Sequence, residues 1–304
     1  MSPGTMPPLP VLPARPLFSL DVEDWFQVTA LEPHVAREGW DACESRVVAN
    51  TERVLGLLAR HGRRATCFVL GWVAERHPAL VRAIAADGHE VASHGYAHRR
   101  IPTQSPAAFR DDVTRAKAVL EDTVGLPVTG YRAPSFSLTP EVPWAAEILV
   151  ETGHRYDSSR FPIARRGYGD GAAPRAPHWV ATPSGALLEL PPAVWPVGGV
   201  RVPVAGGGWF RQLPLAVTRR GLAAVLAEGL PAMFYLHPWE LDPGQPRLPV
   251  PWITQVRHYR GLAQAEARLE RLLRDFPFTS VAAVLPSDHL ADRAPAGPAQ
   301  EVAA

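Results

Sequence analysis

The chain reads as an α/β protein organised on a mainly parallel sheet, open or closed into a barrel. Two observations carry this. Short apolar runs bounded by turn residues alternate with longer stretches of helical periodicity, the order expected of repeated strand–helix units. Polar residues of chemically useful types recur just beyond the apolar runs. In a parallel α/β fold all strand C-termini meet at one edge, and ligands bind there. The 304 residues could hold two average domains, but α/β barrels of about 200–250 residues are commonly single domains. With 46% hydrophobic residues there is material for one large core.

Residues 1–16 include Pro7-Pro8-Leu9-Pro10-Val11-Leu12-Pro13 and lack the basic and apolar segments of a signal peptide, so they read as a flexible Pro-rich leader. A buried strand over 16–20 ends at Asp21-Val22-Glu23-Asp24-Trp25. The spacing of Val47, Val48, Val54, Leu55 and Leu58 predicts a helix over 45–60, closed by His61-Gly62. A strand at 65–70 follows. A helix over 78–86 and the turn Asp87-Gly88 lead to a strand at 90–93. Ser105-Pro106 opens a helix to 123 with Val113, Ala116 and Leu120 on one face. A short strand at 128–131 delivers Arg132-Ala133-Pro134-Ser135-Phe136, and Thr139-Pro140-Glu141 caps a helix ending at Thr152-Gly153.

The irregular stretch beyond carries Asp157, a hairpin at Pro183-Ser184-Gly185 and a strand over 187–190. Gly206-Gly207-Gly208-Trp209-Phe210 lacks the Lys-Ser/Thr of a phosphate loop, so it reads as a structural turn or substrate rim. A helix over 215–228 precedes a strand at 232–236, which delivers His237-Pro238-Trp239-Glu240. An amphipathic helix over 256–274 and a last strand over 279–285 complete one folded domain, 17–291. The Ala/Pro-rich tail, 292–304, reads as disordered.

The chemistry is densest at Ser93-His94-Gly95-Tyr96-Ala97-His98. On a helical turn, residues i and i+4 lie one above the other, so His94 and His98 could point at one ion. Divalent first-row metals take three or four such donors. Glu23 and Asp24 are both candidates for a carboxylate ligand, which would leave a position open for water or substrate. Such a metal lowers the pKa of its water to about 7 and polarises a carbonyl. Asp21 could take the water proton, Arg132 could pair with Asp21 and keep it ionised, and His237 could protonate a leaving group. That inventory fits metal-assisted hydrolysis of an amide or ester. Taken singly, residues 21–24 also suit an N-cap cluster, Arg132 a surface arginine and His237 a core histidine.

Composition excludes other classes. The net charge is +1, with 31 basic and 30 acidic residues, which leaves no nucleic-acid footprint. Cys43 and Cys67 make neither a disulfide framework nor a zinc knuckle. No apolar run reaches the ~20 residues of a spanning helix. A cytoplasmic protein is expected, with peripheral association with a membrane complex left open. The other eight histidines have no comparable setting, and Trp25, Trp144, Trp195, Trp209 and Trp239 read as core before sugar platforms.

Four stretches together resemble the polysaccharide deacetylases of the NodB-homology type, carbohydrate esterase family 4. They are Ser19-Leu20-Asp21-Val22-Glu23-Asp24-Trp25, Ser93-His94-Gly95-Tyr96-Ala97-His98, Gly130-Tyr131-Arg132-Ala133-Pro134 and Leu236-His237-Pro238-Trp239-Glu240. The last, with Asp242-Pro243, is similar to the subfamily associated with exosortase/PEP-CTERM exopolysaccharide loci. The resemblance runs from about Leu17 to Leu285. It implies a distorted (β/α) barrel and metal-dependent removal of N-acetyl groups from hexosamine polymers, so a glycan is the expected partner. It also implies a divalent metal, zinc foremost, with cobalt, manganese or nickel as alternatives.

By position, Asp21 looks like the base, His94 and His98 like metal ligands, and Arg132 like the residue steadying the base. His237 looks like the acid, with Asp157 in the place that orients it, and a backbone N–H near Ser135 would face the oxyanion. The family pattern commonly has adjacent aspartates, whereas Val22 intervenes here, which leaves Glu23 and Asp24 both open as the ligand. Ser135 stands where an aromatic commonly follows the motif proline, a role open to Phe136. Two other readings stand beside this one. An allantoinase-like hydrolase of small cyclic amides would share the fold, although retention of His94 and His98 argues against its metal-free version. An inactive carbohydrate-binding component would be expected to lack Asp21 or His237.

Overall fold

A computed structural model describes residues 7–165, 168–286 and 289. The first strand, β1 (Pro16–Val22), is followed by α1 (Val47–Arg60), β2 (Thr66–Val69), α2 (Gly71–Arg76), α3 (Pro78–Ala86), β3 (Glu90–Ser93) and α4 (Pro106–Val124). Next come β4 (Gly130–Tyr131), α5 (Trp144–Glu151), β5 (Tyr156–Asp157), β6 (His178–Thr182), β7 (Gly185–Glu189), β8 (Val194–Val197) and β9 (Val200–Pro203). The chain closes with α6 (Gly207–Gln212), α7 (Leu215–Ala227), β10 (Ala232–Leu236), α8 (Trp252–Tyr259) and α9 (Leu262–Asp275).

Eight strands form one sheet in the order β10-β1-β2-β3-β4-β5-β7-β6, parallel throughout except for the β6/β7 hairpin. The hairpin β8/β9 lies apart. Beyond β7 the chain reaches Met233 of β10 through a bridge at Pro192, so the sheet curls towards its own far margin as a distorted half-barrel. The expected single α/β domain is what forms. Among the described residues no helix is long and apolar enough to cross a membrane.

The period-2 geometry of β1 decides what enters the barrel. Phe18, Leu20 and Val22 face the large cluster shared with the helices, whereas Leu17 packs with Phe68, Ala92, Tyr156, Leu188 and Met233 of the neighbouring strands. Ser19 and Asp21 share the face of Leu17, so the inward row changes from apolar to polar as β1 approaches its C-terminal end. The sheet geometry therefore delivers Asp21 to the mouth of the barrel without a special turn.

Most strands and helices fall where the sequence places them, and the differences have local causes. The expected last strand, 279–285, makes only an isolated bridge, Leu17 to Thr279. It folds instead across the opposite end of the barrel as a plug. The Val281 N–H donates to Thr66 Oγ1 at 2.8 Å and the Ala282 N–H to Glu90 Oε2 at 2.8 Å, while Tyr156 Oη and Thr66 Oγ1 also donate to Glu90. A buried carboxylate that must find donors bends this segment out of a ladder.

The single helix expected over 256–274 is two helices, broken at Arg260-Gly261, where Gly261 sits at φ 83. The stretch Gly207-Gly208-Trp209-Phe210 begins α6 and is not a turn. The helix expected from 139 starts only at Trp144. The leader is partly ordered: Leu12 packs on the barrel and Pro16 already belongs to β1, while residues 1–6 and the tail 292–304 lie outside the described residues.

Gly206 fixes how α6 meets β10. It sits at φ 133, and a Cβ there would lie 1.8 Å from the Tyr235 carbonyl oxygen. Gly206→Ala should therefore cost about 3 kcal/mol or more of stability, as severe overpacking does. Urea unfolding checks this, and a midpoint unchanged from wild type would contradict the packing described.

Candidate active site and metal centre

Beyond Val22 the chain turns tightly, with the Glu23 N–H on the Asp21 carbonyl at 3.0 Å, and this separates the two acids that the sequence left open. Glu23 turns inward. Asp24 turns towards α1, whose N-cap residue Arg46 makes no side-chain cap bond. Asp24 Oδ2 accepts from the N–H groups of Arg46 (2.7 Å) and Val47 (3.1 Å) and from Ser45 Oγ (2.8 Å). Asp24 thus caps α1 from a distance, meeting helix-end donors that have no intrahelical partner. The ambiguity between Glu23 and Asp24 ends here: the group that gathers with the imidazoles is Glu23, His94 and His98, all buried, with ligand atoms within 4.8 Å of one another.

The two histidines do not share a helical turn, as their spacing suggested. They flank a loop after β3 in which Gly95 has φ 74 and His98 φ 48. Asp112 of α4 holds the loop by accepting the Tyr96 N–H at 2.8 Å, and Arg37 donates to the Ala97 and His98 carbonyls. The Gly95 carbonyl takes the first N–H of α2 at 2.9 Å. A Cβ at Gly95 would lie 2.8 Å from Asp112 Oδ2, so glycine is required by both space and dihedral angle.

His94 Nδ1 lies 2.8 Å from the Arg132 carbonyl, which can only accept, so the proton sits on Nδ1 and the Nε2 lone pair faces the cluster. Burial, more than any charge, lowers the His94 pKa to about 4, so the ring is a neutral donor at neutral pH. Glu23 Oε2 stands 2.7 Å from His98 Nε2 and 3.9 Å from His94 Nε2. Apart from this contact with His98, Oε2 is a buried acceptor with no hydrogen-bond donor of its own. Burial alone would raise the Glu23 pKa; His98, His237 and His94 reverse that and hold it at about 2. An ionised carboxylate oxygen with no donor, facing two imidazoles, fits a divalent cation.

Asp21 and Arg132 form the next layer. Arg132 is fully buried, and its Nη1 donates to Asp21 Oδ1 at 2.6 Å and to Ser19 Oγ at 2.7 Å. Nε and Nη2 donate to the carbonyl and the hydroxyl of Ser158. The guanidinium also lies 4.2 Å above the Phe68 ring. Asp21 Oδ2 remains turned towards His237, whose Nε2 is 3.8 Å away, and the same nitrogen is 3.8 Å from Glu23 Oε1. Thus Asp21, Glu23, His94, His98, Arg132 and His237 come together at one end of the barrel.

Ser135 and Phe136 border the site with φ of 54° and 52°. Among the described residues only three non-glycine residues have positive φ, and the third is His98, so this uncommon geometry is concentrated at the site. Ser135 Oγ is tied to Thr29 Oγ1 at 2.7 Å. Phe136 packs edge-on to Tyr235 at 4.8 Å and to Phe161 at 5.2 Å.

Asp157 does not orient His237. It faces Glu189 across the β5/β7 pairing, accepts from Ser159, and burial raises both carboxyls of the pair. Two buried carboxyls this close share a proton more readily than they both ionise. His237 is held instead by Glu240, whose Oε1 lies 2.7 Å from Nδ1. Burial would depress the His237 pKa, but Glu240, Glu23 and Asp21 outweigh it and lift it to about 9. Trp239 links the two halves: its Nε1 donates to Glu23 Oε1 at 3.1 Å and its ring stacks on His237. Sequence reasoning assigned no role to Glu240, although the spacing His-x-x-Glu is a capping signal.

Replacing Glu23 and Asp24 separately tests the division of labour. Glu23→Ala should abolish stoichiometric zinc or cobalt uptake measured by elemental analysis. Asp24→Ala should keep the metal and lose about 1 kcal/mol of stability. Equal metal loss in both variants would contradict the assignment.

Residues 38–156 match the family model described as polysaccharide deacetylase, and residues 158–286 match a domain of unknown function (DUF3473). A peptidoglycan-N-acetylglucosamine deacetylase of Bacillus cereus is 30% identical over 98 residues, 32% of this chain and 36% of its own length. A chitooligosaccharide deacetylase of Bradyrhizobium is 37% identical over 70 residues, 23% of this chain and 32% of its own. The chain thus spans about a third of the length of these two relatives. A crystal structure from Mycobacterium smegmatis, assigned to the polysaccharide deacetylases, superposes with TM-score 0.61 at 22% identity, over 98% of this chain and 99% of that one. An allantoinase superposes at 0.59 and 18% identity, over 95% of each chain. The two structures share the fold. On the sequence matches, residues 38–156 are similar to the polysaccharide deacetylases.

Proposed function

We propose that the chain is a metal-dependent de-N-acetylase that hydrolyses the acetamide of N-acetylhexosamine residues in a polysaccharide. The observation that carries this is the placement of Asp21 and His237 on the rim of the Glu23/His94/His98 cluster, with His237 Nε2 3.8 Å from both Asp21 Oδ2 and Glu23 Oε1. The relatives named as peptidoglycan and chitooligosaccharide deacetylases support an N-acetylated sugar as the substrate class. The likeness of Leu236-His237-Pro238-Trp239-Glu240 and Asp242-Pro243 to the exopolysaccharide-locus subfamily supports an exopolysaccharide or its precursor as the polymer, handled beside an assembly complex.

Glu23, His94 and His98 would hold the divalent ion, zinc foremost, which when bound polarises the acetamide carbonyl and lowers the pKa of water to about 7. The chain's own groups supply the rest. Asp21 offers Oδ2 for the water proton because Oδ1 is engaged by Arg132. As hydroxide adds to the carbonyl carbon and the C–N bond breaks, the departing amine nitrogen takes a proton from His237 Nε2. The Glu240 carboxylate against Nδ1 favours the protonated ring. In this reading a backbone N–H near Ser135 would meet the oxyanion, the Phe136 N–H being engaged by the Ala133 carbonyl. Acetate and a free amino sugar result.

The test is acetate release from an N-acetylglucosamine oligomer. Chelation should abolish it, and zinc or cobalt should restore it. Asp21→Asn should lower kcat by about 10²–10⁴ with metal content unchanged, the span expected for loss of a general base. Activity surviving exhaustive chelation, or a fully active Asp21→Asn, would refute the reading.

A further inference from the structure

We propose that Glu240, clamped by Arg211, is the residue that positions His237 for proton donation. This rests on the deacetylase reading above and names how the chain holds its acid where Asp157 does not. Glu240 is fully buried and sits three residues beyond His237, at the third position of the short helical turn Pro238–Leu241. Its Oε1 receives two groups of His237, the backbone N–H at 3.1 Å and Nδ1 at 2.7 Å. A carboxylate that grips both the main chain and the ring of one residue fixes the ring's χ angles as well as its tautomer. Nδ1–H is spent on Glu240, so Nε2 is the nitrogen left facing Asp21 and Glu23.

Glu240 is itself held. Its Oε2 accepts from Arg211 Nε at 2.5 Å, and Arg211 is 3% exposed. The remaining guanidinium N–H groups donate to the carbonyls of His258 (2.9 Å), Arg260 (2.6 Å) and Arg257 (3.0 Å), the C-terminal end of α8. Those carbonyls are free because the helix breaks at Gly261. Arg211 arrives on α6, close to β10 because Gly206 and Gly207 let the backbones approach. The glycine run, the broken helix and the His-x-x-Glu spacing therefore form one chain of contacts ending at His237. Trp239, between His237 and His258 at ring separations of 5.2 and 4.4 Å, closes the other face of the imidazole.

The arrangement does chemical and not merely structural service if its loss depends on the leaving group. An amine departs only when protonated, whereas 4-nitrophenolate departs unaided. In the zinc-loaded full chain, Glu240→Gln should slow release of acetate from an N-acetylglucosamine oligomer by about 100-fold in kcat. Hydrolysis of 4-nitrophenyl acetate should change less than about threefold, with KM for the oligomer little altered. Glu240→Asp, which keeps the charge, should recover part of the amide rate.

A second readout needs neither metal nor turnover. In metal-free protein labelled with 15N-histidine, the wild type should show a downfield, slowly exchanging Nδ1–H from His237, identified by its loss in His237→Gln, and Glu240→Gln should lack it. Equal losses on amide and ester would overturn the proposal, as would an undiminished amide rate or the absence of that resonance from the wild type. A wild type that hydrolyses neither substrate at any metal loading would bring down the deacetylase reading itself, while the resonance would still report whether Glu240 holds the ring.

Discussion

A guanidinium with no solvent exposure stands at the centre of this molecule, and most of the site is defined relative to it. Removing such a cation from water is costly unless its donors are met. Arg132 meets them with Ser19, Asp21 and both oxygens of Ser158, and lays its plane over Phe68. Its own backbone completes the arrangement, since its N–H binds the Ser93 carbonyl and its carbonyl fixes the tautomer of His94. One residue therefore orders a carboxylate on β1, an imidazole after β3 and a serine after β5. Removing only the guanidinium would leave Asp21 buried and unpaired while sparing the backbone bonds that hold His94.

Around this centre the charges alternate. Asp21 and Glu23 face His237, Glu240 backs His237, and Arg211 backs Glu240. Each buried charge has an opposite neighbour, which is the condition for keeping ionised groups out of water. The Asp157/Glu189 pair solves the same problem differently, with burial raising both groups so that a proton can be shared. That pair sits behind Ser158 and Ser159, whose hydroxyls reach Arg132 and the Ala133 N–H, so it supports the Asp21/Arg132 side of the site and not His237.

Much of this was legible in the residues themselves. The strand–helix alternation and the clustering of polar residues beyond apolar runs were enough for the parallel sheet and for one shared edge, because both follow from local periodicity. What could not be read depended on contacts far apart in the chain. Whether Glu23 or Asp24 turns inward is decided by α1, which needs a cap more than twenty residues later. That Glu240 and not Asp157 lies against the His237 ring was hidden because parallel-sheet convergence brings many strand ends together without saying which carboxylate faces which ring. Segment 279–285 has the composition of a strand, yet the buried carboxylate of Glu90 recruits its backbone donors. The helix break at Gly261 carries a glycine signal that helical periodicity on both sides obscured.

The pairing of β1 with β10 joins residue 16 to residue 232, so β1 takes one neighbour, β2, from the strand next in sequence and the other from far along the chain. During synthesis, the loop of His94 and His98 and then Arg132 emerge well before the segment carrying His237. Until the ribosome has released that later stretch, one flank of the first strand offers bare amide and carbonyl groups to any passing extended segment, a recognised route to misassociation. Contacts of such long sequence separation also slow folding. A nascent chain would thus hold Glu23, His94 and His98 long before His237 could join them, and the cluster would be complete only with closure of the sheet.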